Sequence, residues 1–256
     1  MKRLSLIWEL TKSDLKEQYP GSIIGKFWNF ILPLVNLTIF IVVFNKLMGP
    51  RLPGESEIQI YAVYVSVGLL PWIAFTKTIT RCSTVFIDKR YIISNVRIPL
   101  PIFLIYICLS ETIIFLVFAL CVCVYLAIAG FQFNIYFFLV PFIFYLQQLF
   151  ALSFGFIAAT LSVFFRDLKQ VIEVILQIWF WFTPIVYVRD ILPETVQKFI
   201  GYNPAFVFIE SYQRIFVYNT NPSYRTLISV TILTHLMLFA SYVIFVAFEK
   251  DVRDCV

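Results

Sequence analysis

The sequence predicts an all-α integral membrane protein with six transmembrane helices. Of its 256 residues, 61% are hydrophobic and only 14% are charged, whereas a soluble domain carries about a quarter charged residues. A chain of this composition needs a bilayer as its solvent, and crossing one takes about 20 mostly apolar residues. Six stretches reach that length, separated by breaks that contain Asn, Gly or Pro: 28–48, 58–79, 100–129, 134–164, 170–188 and 226–248.

Residues 1–26 are predicted to form an amphipathic helix that lies on the inner membrane surface. The segment is not a signal peptide, because it lacks a continuous apolar centre and a small-residue cleavage site. Its apolar positions recur at helical spacing and its charges lie elsewhere, which is typical of an interfacial helix. The residues that share the apolar face are Leu4, Ile7, Trp8, Thr11 and Leu15.

The distribution of basic residues predicts that both termini face the cytoplasm. Cytoplasmic loops of membrane proteins carry an excess of Lys and Arg. With the N-terminus inside, six of the 20 Lys and Arg residues fall on the outer side and the rest fall inside. The six outer residues are Lys46, Arg51, Arg189, Lys198, Arg214 and Arg225.

The third and fourth spans are longer than a bilayer requires, so we expect them to tilt, bend or protrude, with Pro141 as a bend. A polar group that faces lipid is costly, so polar residues in a span mark its protein- or water-facing side. Glu111 in the third span is either a paired helix-packing residue or a proton relay. Gln147 and Gln148 are expected to bridge neighbouring helices.

The fifth span carries polar and aromatic residues along one side. At about 100° per residue, one face collects Gln170, Glu173, Gln177, Phe180, Trp181 and Pro184, with Tyr187 at its edge. Trp179 points the opposite way and is predicted to face lipid. Similar stripes occur on the second span, at Tyr61, Tyr64, Gly68, Trp72 and Phe75, and on the first, at Asn29, Pro33, Asn36 and Phe40.

Such stripes have three interpretations: helix-packing surfaces, interfacial aromatic belts, or the lining of a pathway. In the third, flat rings give weak apolar contact to the C–H faces of sugar rings, which suits a sliding polymer. The candidate pathway residues are Asn36, Phe40, Tyr61, Tyr64, Trp72, Phe75, Gln177, Phe180, Trp181 and Tyr187.

Two connecting segments have structure of their own. Residues 191–216 are amphipathic and are broken at Gly201-Tyr202-Asn203-Pro204, where Asn203 caps one helix and Pro204 starts the next. Each half is too short to cross, so the pair forms either re-entrant helices or a surface hairpin. The connection 80–103 is either a loop on the membrane surface or a docking element for a cytoplasmic partner.

No motif in the chain predicts catalysis, a cofactor or a metal site. GSIIGK at 21–26 has too few residues between its glycines for a phosphate-binding loop, and Phe27 stands where Ser or Thr would bind magnesium. No Ser/His/Asp set or Cys/His cluster is present. The five cysteines have no pairing or metal-ligand spacing: Cys82, Cys108, Cys121, Cys123 and Cys255. Any pumping must therefore use a partner or an ion gradient.

Four motifs resemble those of the permease subunits of ABC-2 type polysaccharide exporters of the O-antigen and teichoic-acid kind. In LTKSDLKEQYPGSIIGKFWNFILPL (10–34) the matching residues are Leu10, Asp14, Leu15, Lys16, Tyr19, Ser22, Gly25, Trp28 and Pro33, and the departures are Ser13, Gln18 and Ile24. VRIPLPI (96–102) is similar to a family loop, with Ile98 in place of an aromatic.

The other two motifs lie further along the chain. In FFRDLKQVIEVILQIWFWFTPIVY (164–187) the matches are Phe165, Arg166, Asp167, Leu168, Phe182, Thr183, Pro184, Ile185 and Tyr187. In YNPAFVFIESYQRIF (202–216) the matches are Asn203, Pro204, Ile209 and Phe216, with Gln213 and Arg214 one step out of phase. The motifs occur in the family's order over nearly the whole chain.

The resemblance implies a homodimer in the bacterial inner membrane, docked on two copies of a separate ATPase that binds ATP and magnesium. It implies export of an undecaprenyl-pyrophosphate-linked glycan between the subunits, with no nucleic-acid partner. The implied ATPase-docking residues are Leu4, Ile7, Trp8, Asp88, Lys89, Arg90 and Arg97. Arg166 and Lys169 are candidates for contact with the lipid pyrophosphate, and Gly201, Tyr202, Asn203 and Pro204 for an outer gate.

Alternative functions stay open at this point. Within the same superfamily, the cargo could be teichoic acid, another lipid or a drug. A stand-alone ion-coupled transporter or channel would instead use Glu111 and Glu173 as relay groups and would need no ATPase. An intramembrane enzyme is disfavoured, because the chain has no candidate nucleophile or metal cluster.

Overall fold

The structure, a computed structural model, describes residues 3–17, 27, 28, 31, 34, 35, 38, 58–128, 131, 133–165 and 167–255, with only the backbone at 58–60, 62, 125 and 128. Most of the predicted first span lies outside these residues, and so do Asn36, Phe40 and Arg166. Within the described residues every regular element is helical.

Nine α-helices make up this described part of the chain. They are α1 (Arg3–Glu17), α2 (Ile58–Asp88), α3 (Arg90–Asn95), α4 (Pro101–Ile128), α5 (Val140–Ser162), α6 (Leu168–Trp181), α7 (Glu194–Ile200), α8 (Pro204–Phe216) and α9 (Tyr224–Cys255). Two short 3-10 helices, Ile135–Leu139 and Arg189–Ile191, precede α5 and α7.

Four helical segments in the described residues are long and apolar enough to cross a membrane, and they match the predicted second, third, fourth and sixth spans. Their bounds are Val63–Asp88, Pro101–Val124, Ile135–Ser162 and Tyr224–Cys255. The prediction of an all-α membrane protein is confirmed.

Helix α2 continues to Asp88 instead of ending near residue 79. Charged residues stop the apolar pattern there, but the helix continues because Cys82, Val85 and Phe86 are buried against other helices. Helix α3 follows directly. Of the two interpretations of 80–103, the membrane-surface loop is therefore wrong for most of the length of this connection, and the docking element stays a prediction.

Pro141 begins a helix instead of bending one. It occupies the first turn of α5, directly after the 3-10 helix Ile135–Leu139. Proline is favoured at that position because its missing N–H would have no intrahelical partner there.

The predicted helix over 170–188 is wrong at its C-terminal end. Helix α6 has 14 residues and ends at Trp181, so at about 1.5 Å per residue it is roughly 21 Å long, which is short for a bilayer. Pro184 disfavours helical geometry at the residue before it. Residues 182–188 are not helical, and Pro184 to Val186 are buried.

The buried residues form two main cores at opposite ends of the long helices. One core joins the first half of α2 to the first half of α5, α6, α8 and the start of α9. The other joins the end of α2 to α3, the first half of α4 and the ends of α5 and α9, with Ile7 and Leu10 of α1 packed against it. Helices α2, α4, α5 and α9 contribute to both cores.

The polar residues predicted to bridge helices do so. Gln147 donates from Nε2 to the carbonyl oxygen of Pro71 (3.1 Å) and accepts at Oε1 from the Tyr212 hydroxyl (2.9 Å). Gln148 accepts from Thr78 Oγ1 at 3.0 Å. These bonds fix α5 against α2 and α8 inside the apolar part of the molecule.

Candidate translocation surface

Helix α6 lies at the surface of the subunit and packs through one narrow side. Leu176 is its buried residue, and Ile172, Trp179 and Phe180 are partly buried beside it. The remaining circumference is exposed in this single chain. One helix with two accessible flanks can therefore contact surroundings of two kinds.

One exposed flank of α6 is polar and ends in an indole. It carries Gln170, Glu173, Gln177 and Trp181, all exposed. The neighbouring flank is apolar, with Val171, Ile175, Ile178 and Phe182. Helix α6 shares a core with α2 and α5, which are long enough to cross a membrane. A carboxylate and two amides beside these helices cannot favourably face hydrocarbon, so the polar flank must meet water or protein.

Trp179 faces the inside of the subunit, so the prediction that it faces lipid is wrong. Its ring lies edge-on to Phe75 and to Phe154, with centroids 5.6 Å away in each case. Its Nε1 donates to Asn203 Oδ1 at 2.9 Å. Helical periodicity places Trp179 on the side opposite the polar flank, but it does not show whether that side faces lipid or protein.

Asn203 joins α6 to α8, and we call its contacts the Asn203 joint. Besides Trp179, Oδ1 accepts from the backbone N–H of Ala205 (3.0 Å), which makes Asn203 the N-cap of α8. Nδ2 donates to Thr183 Oγ1 (3.0 Å) and to the Phe182 carbonyl (3.3 Å). The predicted cap and restart at Asn203-Pro204 are confirmed.

The non-helical segment 182–188 is held by side chains from other helices. The hydroxyls of Tyr61 and Tyr64 each donate at 2.9 Å, to the carbonyls of Val186 and Tyr187 respectively. Gln213 Nε2 donates to the Pro184 carbonyl at 3.1 Å. Irregular backbone within a membrane requires such shelter.

The stripe predicted on the second span lies inside the subunit. Tyr64, Trp72 and Phe75 are at most 5% exposed, and Trp72 packs on Phe180 with centroids 6.0 Å apart. Gly68 faces α8 and the segment 182–188, where an added Cβ would lie 3.4 Å from Ile209 and 3.3 Å from Ile185. In this conformation these side chains pack helices against one another and are not accessible to a glycan.

The remaining predicted residues differ in accessibility. Tyr61, Phe180 and Tyr187 are partly exposed, and Tyr187 donates from its hydroxyl to the Trp181 carbonyl at 2.6 Å. Lys169 is exposed in the first turn of α6. In the predicted gate, Gly201 and Tyr202 are exposed, whereas Asn203 and Pro204 are partly buried.

Helix α8 reaches deep between the long helices while α7 stays outside. The ring centroid of Phe208 lies 5.9 Å from that of Phe150, near the middle of α5. The ring centroid of Phe216 lies 5.7 Å from that of Phe137, in the 3-10 helix directly before α5. Helix α8 therefore runs alongside the first half of α5. Most of its residues are buried, whereas Phe199 of α7 is 79% exposed.

At the other end, a three-residue ion cluster fixes α1. Arg81 on α2 donates from Nη1 to Glu111 on α4 (2.7 Å) and from Nη2 to Asp14 on α1 (2.5 Å). The side chains of Glu111 and Asp14 are 2% and 10% exposed. Glu111 is thus a paired packing residue, the first of the two interpretations from sequence.

Comparison of the sequence with known proteins identifies its family. The sequence profile of the family described as ABC-2 type transporter matches residues 5–217. The chain belongs to this family.

Curated relatives of this ABC-2 transporter chain have similar lengths. An O-antigen export system permease protein RfbA of Myxococcus xanthus is 26% identical over 98% of this chain and 95% of its own. Two proteins of the same name from Klebsiella pneumoniae are 29% identical over 84% of this chain and 81% of theirs, and 27% identical over 88% and 86%.

The predicted docking residues of this ABC-2 transporter lie at the end of the molecule that holds the Arg81 ion cluster, which we call the Arg81 end. They differ in exposure. Leu4 and Trp8 project outward, whereas Ile7 is packed into the core. The exposed charged residues are Asp88, Arg90 and Arg97, and the partly exposed Lys89 pairs with Glu17 at 3.5 Å.

Sequence reasoning missed two exposed residues on this end. Tyr91 is 80% exposed and Val96 is 51% exposed, and they lie between Arg90 and Arg97. An apolar residue beside charges within a connection is the signal that could have identified them. Together with the exposed charges, they form a mixed surface suited to a protein partner.

Proposed function

We propose that this chain is the permease subunit of an O-antigen export system. In this proposal two copies form a pathway in the bacterial inner membrane for a lipid-linked polysaccharide. Two copies of a separate subunit hydrolyse ATP with magnesium and drive the transport. The names of the three relatives support the cargo, and membership of the ABC-2 transporter family supports dependence on an ATPase.

The exposed polar flank of α6 is the observation that carries the proposal. Glu173 and Gln177 lie on a helix whose other side is packed inside the subunit, so these residues are neither core nor favourable lipid contacts. A water-containing pathway beside a second copy gives them suitable surroundings. The Trp181 indole, 54% exposed, adds a flat apolar surface for passing sugar rings.

The two ends of the molecule then have different roles. The Arg81 end is cytoplasmic, and α1, α3 and residues 96–100 present their exposed residues to the ATPase. The opposite end faces outward, where α7, α8 and the Asn203 joint form a gate. Lys169 in the first turn of α6 lies on the cytoplasmic half, where a cation attracts the lipid pyrophosphate.

Matched substitutions on the two flanks of α6 test the proposal. Trp181 and Ile178 are equally exposed, at 54% and 53%, but they lie on the polar and apolar flanks respectively. Trp181→Ala and Gln177→Leu should lower surface O-antigen and leave precursor inside the cell, while Ile178→Ala should export normally. Surface glycan is measured by immunoblot at equal permease abundance in cells that lack the native gene.

Two results would contradict the proposal. Equal export by all three variants would remove the polar flank from the pathway. Undiminished export after deletion of the ATPase subunit would favour an ion-coupled transporter instead. Co-purification of each variant with the ATPase is the control for assembly.

A further inference from the structure

A small polar cavity lies at the end of the molecule where α2 and α9 begin. It has a volume of about 300 Å³ and is formed by the segment around Arg189, by α8 and by the residues after α8. Its charged and amide-bearing lining residues are Arg189, Asp190, Glu210, Gln213 and Arg214, joined by Tyr218 and Phe206. This size is at the lower end of the roughly 300–1,000 Å³ of ligand pockets, so a fitting ligand is short.

Arg189 lines this cavity and carries a buried hydrogen-bond donor without an acceptor. Its Nη2 donates to the carbonyl of Gln197 at 2.9 Å, and its guanidinium lies 5.6 Å from the ring of Phe206. Its Nε is buried and has no partner among the residues that the structure describes. A buried donor without a partner is costly, so a small shift of the Arg189 side chain that brings Nε to a ligand acceptor would be stabilising.

Glu210 supplies the complementary acceptor. Arg214 donates to Glu210 Oε1 from both Nε (3.0 Å) and Nη2 (2.9 Å). In the described part of the chain the other carboxylate oxygen receives no hydrogen bond. The Glu210 side chain is 21% exposed, so a ligand can reach it.

The balance of charge indicates the class of ligand. Two arginines and two carboxylates line the cavity, so its net charge is zero. An anion would meet Asp190 and Glu210, and a hydrocarbon chain would desolvate all four charges. A sugar hydroxyl both donates and accepts, so a polyhydroxylated ligand can use a free donor and a free acceptor together.

We propose that this cavity binds one neutral sugar residue of the passing glycan on the outer side of the gate. The inference rests on the proposed function for the identity of the glycan and for the orientation of this end. Arg189 and Glu210 hydrogen-bond the hydroxyl groups, and the exposed Tyr218 gives the ring an aromatic contact.

Binding measurements on the full-length chain in lipid nanodiscs test this site without any transport. The probes are maltotriose and mannotriose, with trigalacturonate as an acidic trisaccharide of the same length, and the method is saturation-transfer difference NMR. At least one neutral trisaccharide should bind, and trigalacturonate should bind more weakly. Glu210→Gln and Arg189→Gln should each weaken binding about tenfold, the loss expected from one charge-assisted hydrogen bond.

Glu249→Gln is the matched control, because Glu249 and Arg253 form a similar pair one helical turn apart, at 3.1 Å, at the opposite end of the molecule. This variant should bind the neutral trisaccharide as the natural chain does. The comparison of neutral with acidic trisaccharides uses the natural chain, so it stands even if a variant fails to fold.

The possible outcomes separate this inference from the proposed function. Absence of neutral binding, stronger acidic binding, or binding insensitive to both cavity variants would overturn the inference, even where O-antigen export is normal. Sugar binding lost in both cavity variants would support it. Normal O-antigen on cells deleted for this chain would instead reject the proposed function, whatever the binding result.

Discussion

Replacing Asn203 with alanine should destabilise the protein by about 2–4 kcal/mol. The change removes the N-cap of α8, which costs about 1 kcal/mol, and leaves the partly buried Trp179 Nε1 without its acceptor, which costs about 1–3 kcal/mol. Asn203 provides both contacts through one oxygen, at 2.9 and 3.0 Å. The free energy of unfolding is measured by circular dichroism during titration of dodecyl maltoside micelles with SDS.

Two comparisons sharpen this experiment. Asn95 is exposed, and among the residues that the structure describes its side chain bonds only to the Tyr91 carbonyl in its own helix, at 2.7 Å. Asn95→Ala should therefore stay within about 0.5 kcal/mol of the natural chain. Trp179→Phe keeps the ring but not the donor, and its effect should be less than additive with Asn203→Ala. If Asn203→Ala unfolds like Asn95→Ala, the joint contributes nothing and the reasoning is refuted.

Two other substitutions test the packing at the opposite end. Arg81→Met should destabilise the chain by about 3–5 kcal/mol because it leaves Asp14 and Glu111 buried without a cation, and adding Glu111→Gln should recover part of the loss in the same titration. An unchanged unfolding free energy in Arg81→Met would contradict the ion cluster. Gly155→Ala would place a Cβ 2.9 Å from Cys82 Cβ and should cost about 1–3 kcal/mol through overpacking. In a chain that already carries Cys82→Gly, Gly155→Ala should no longer lower the free energy of unfolding by this amount. An undiminished loss in that chain would exclude the contact with Cys82 as its cause.

The second, third, fourth and sixth membrane spans were predictable because apolar length is a local property of the sequence. The third span, for example, was predicted over 100–129 and forms α4, Pro101–Ile128. The end of α2 was not predictable in the same way, because its last turns carry charges and are held by tertiary packing. Local propensity gives way to such packing where a helix leaves the bilayer.

The candidate site was only partly predictable. The polar flank of α6 follows from helical periodicity, and the cap at Asn203 follows from its Asn-Pro pair. The partners of these residues are remote in sequence: Arg81 lies 67 residues from Asp14, and Trp179 lies 24 residues from Asn203. A single sequence contains no signal for such pairings, so the inward-facing position of Trp179 and the burial of Tyr64 were found only in the structure.

The conformation of the stretch between α6 and α7 is determined by residues that lie elsewhere in the sequence. Its backbone carbonyls accept hydrogen bonds from side chains on other segments, namely Tyr61, Tyr64, Asn203 and Gln213. Transplanting 182–188 alone into a different bundle would thus not transplant its conformation. Engineers who wish to move this break must carry the distant hydroxyls and amides with it.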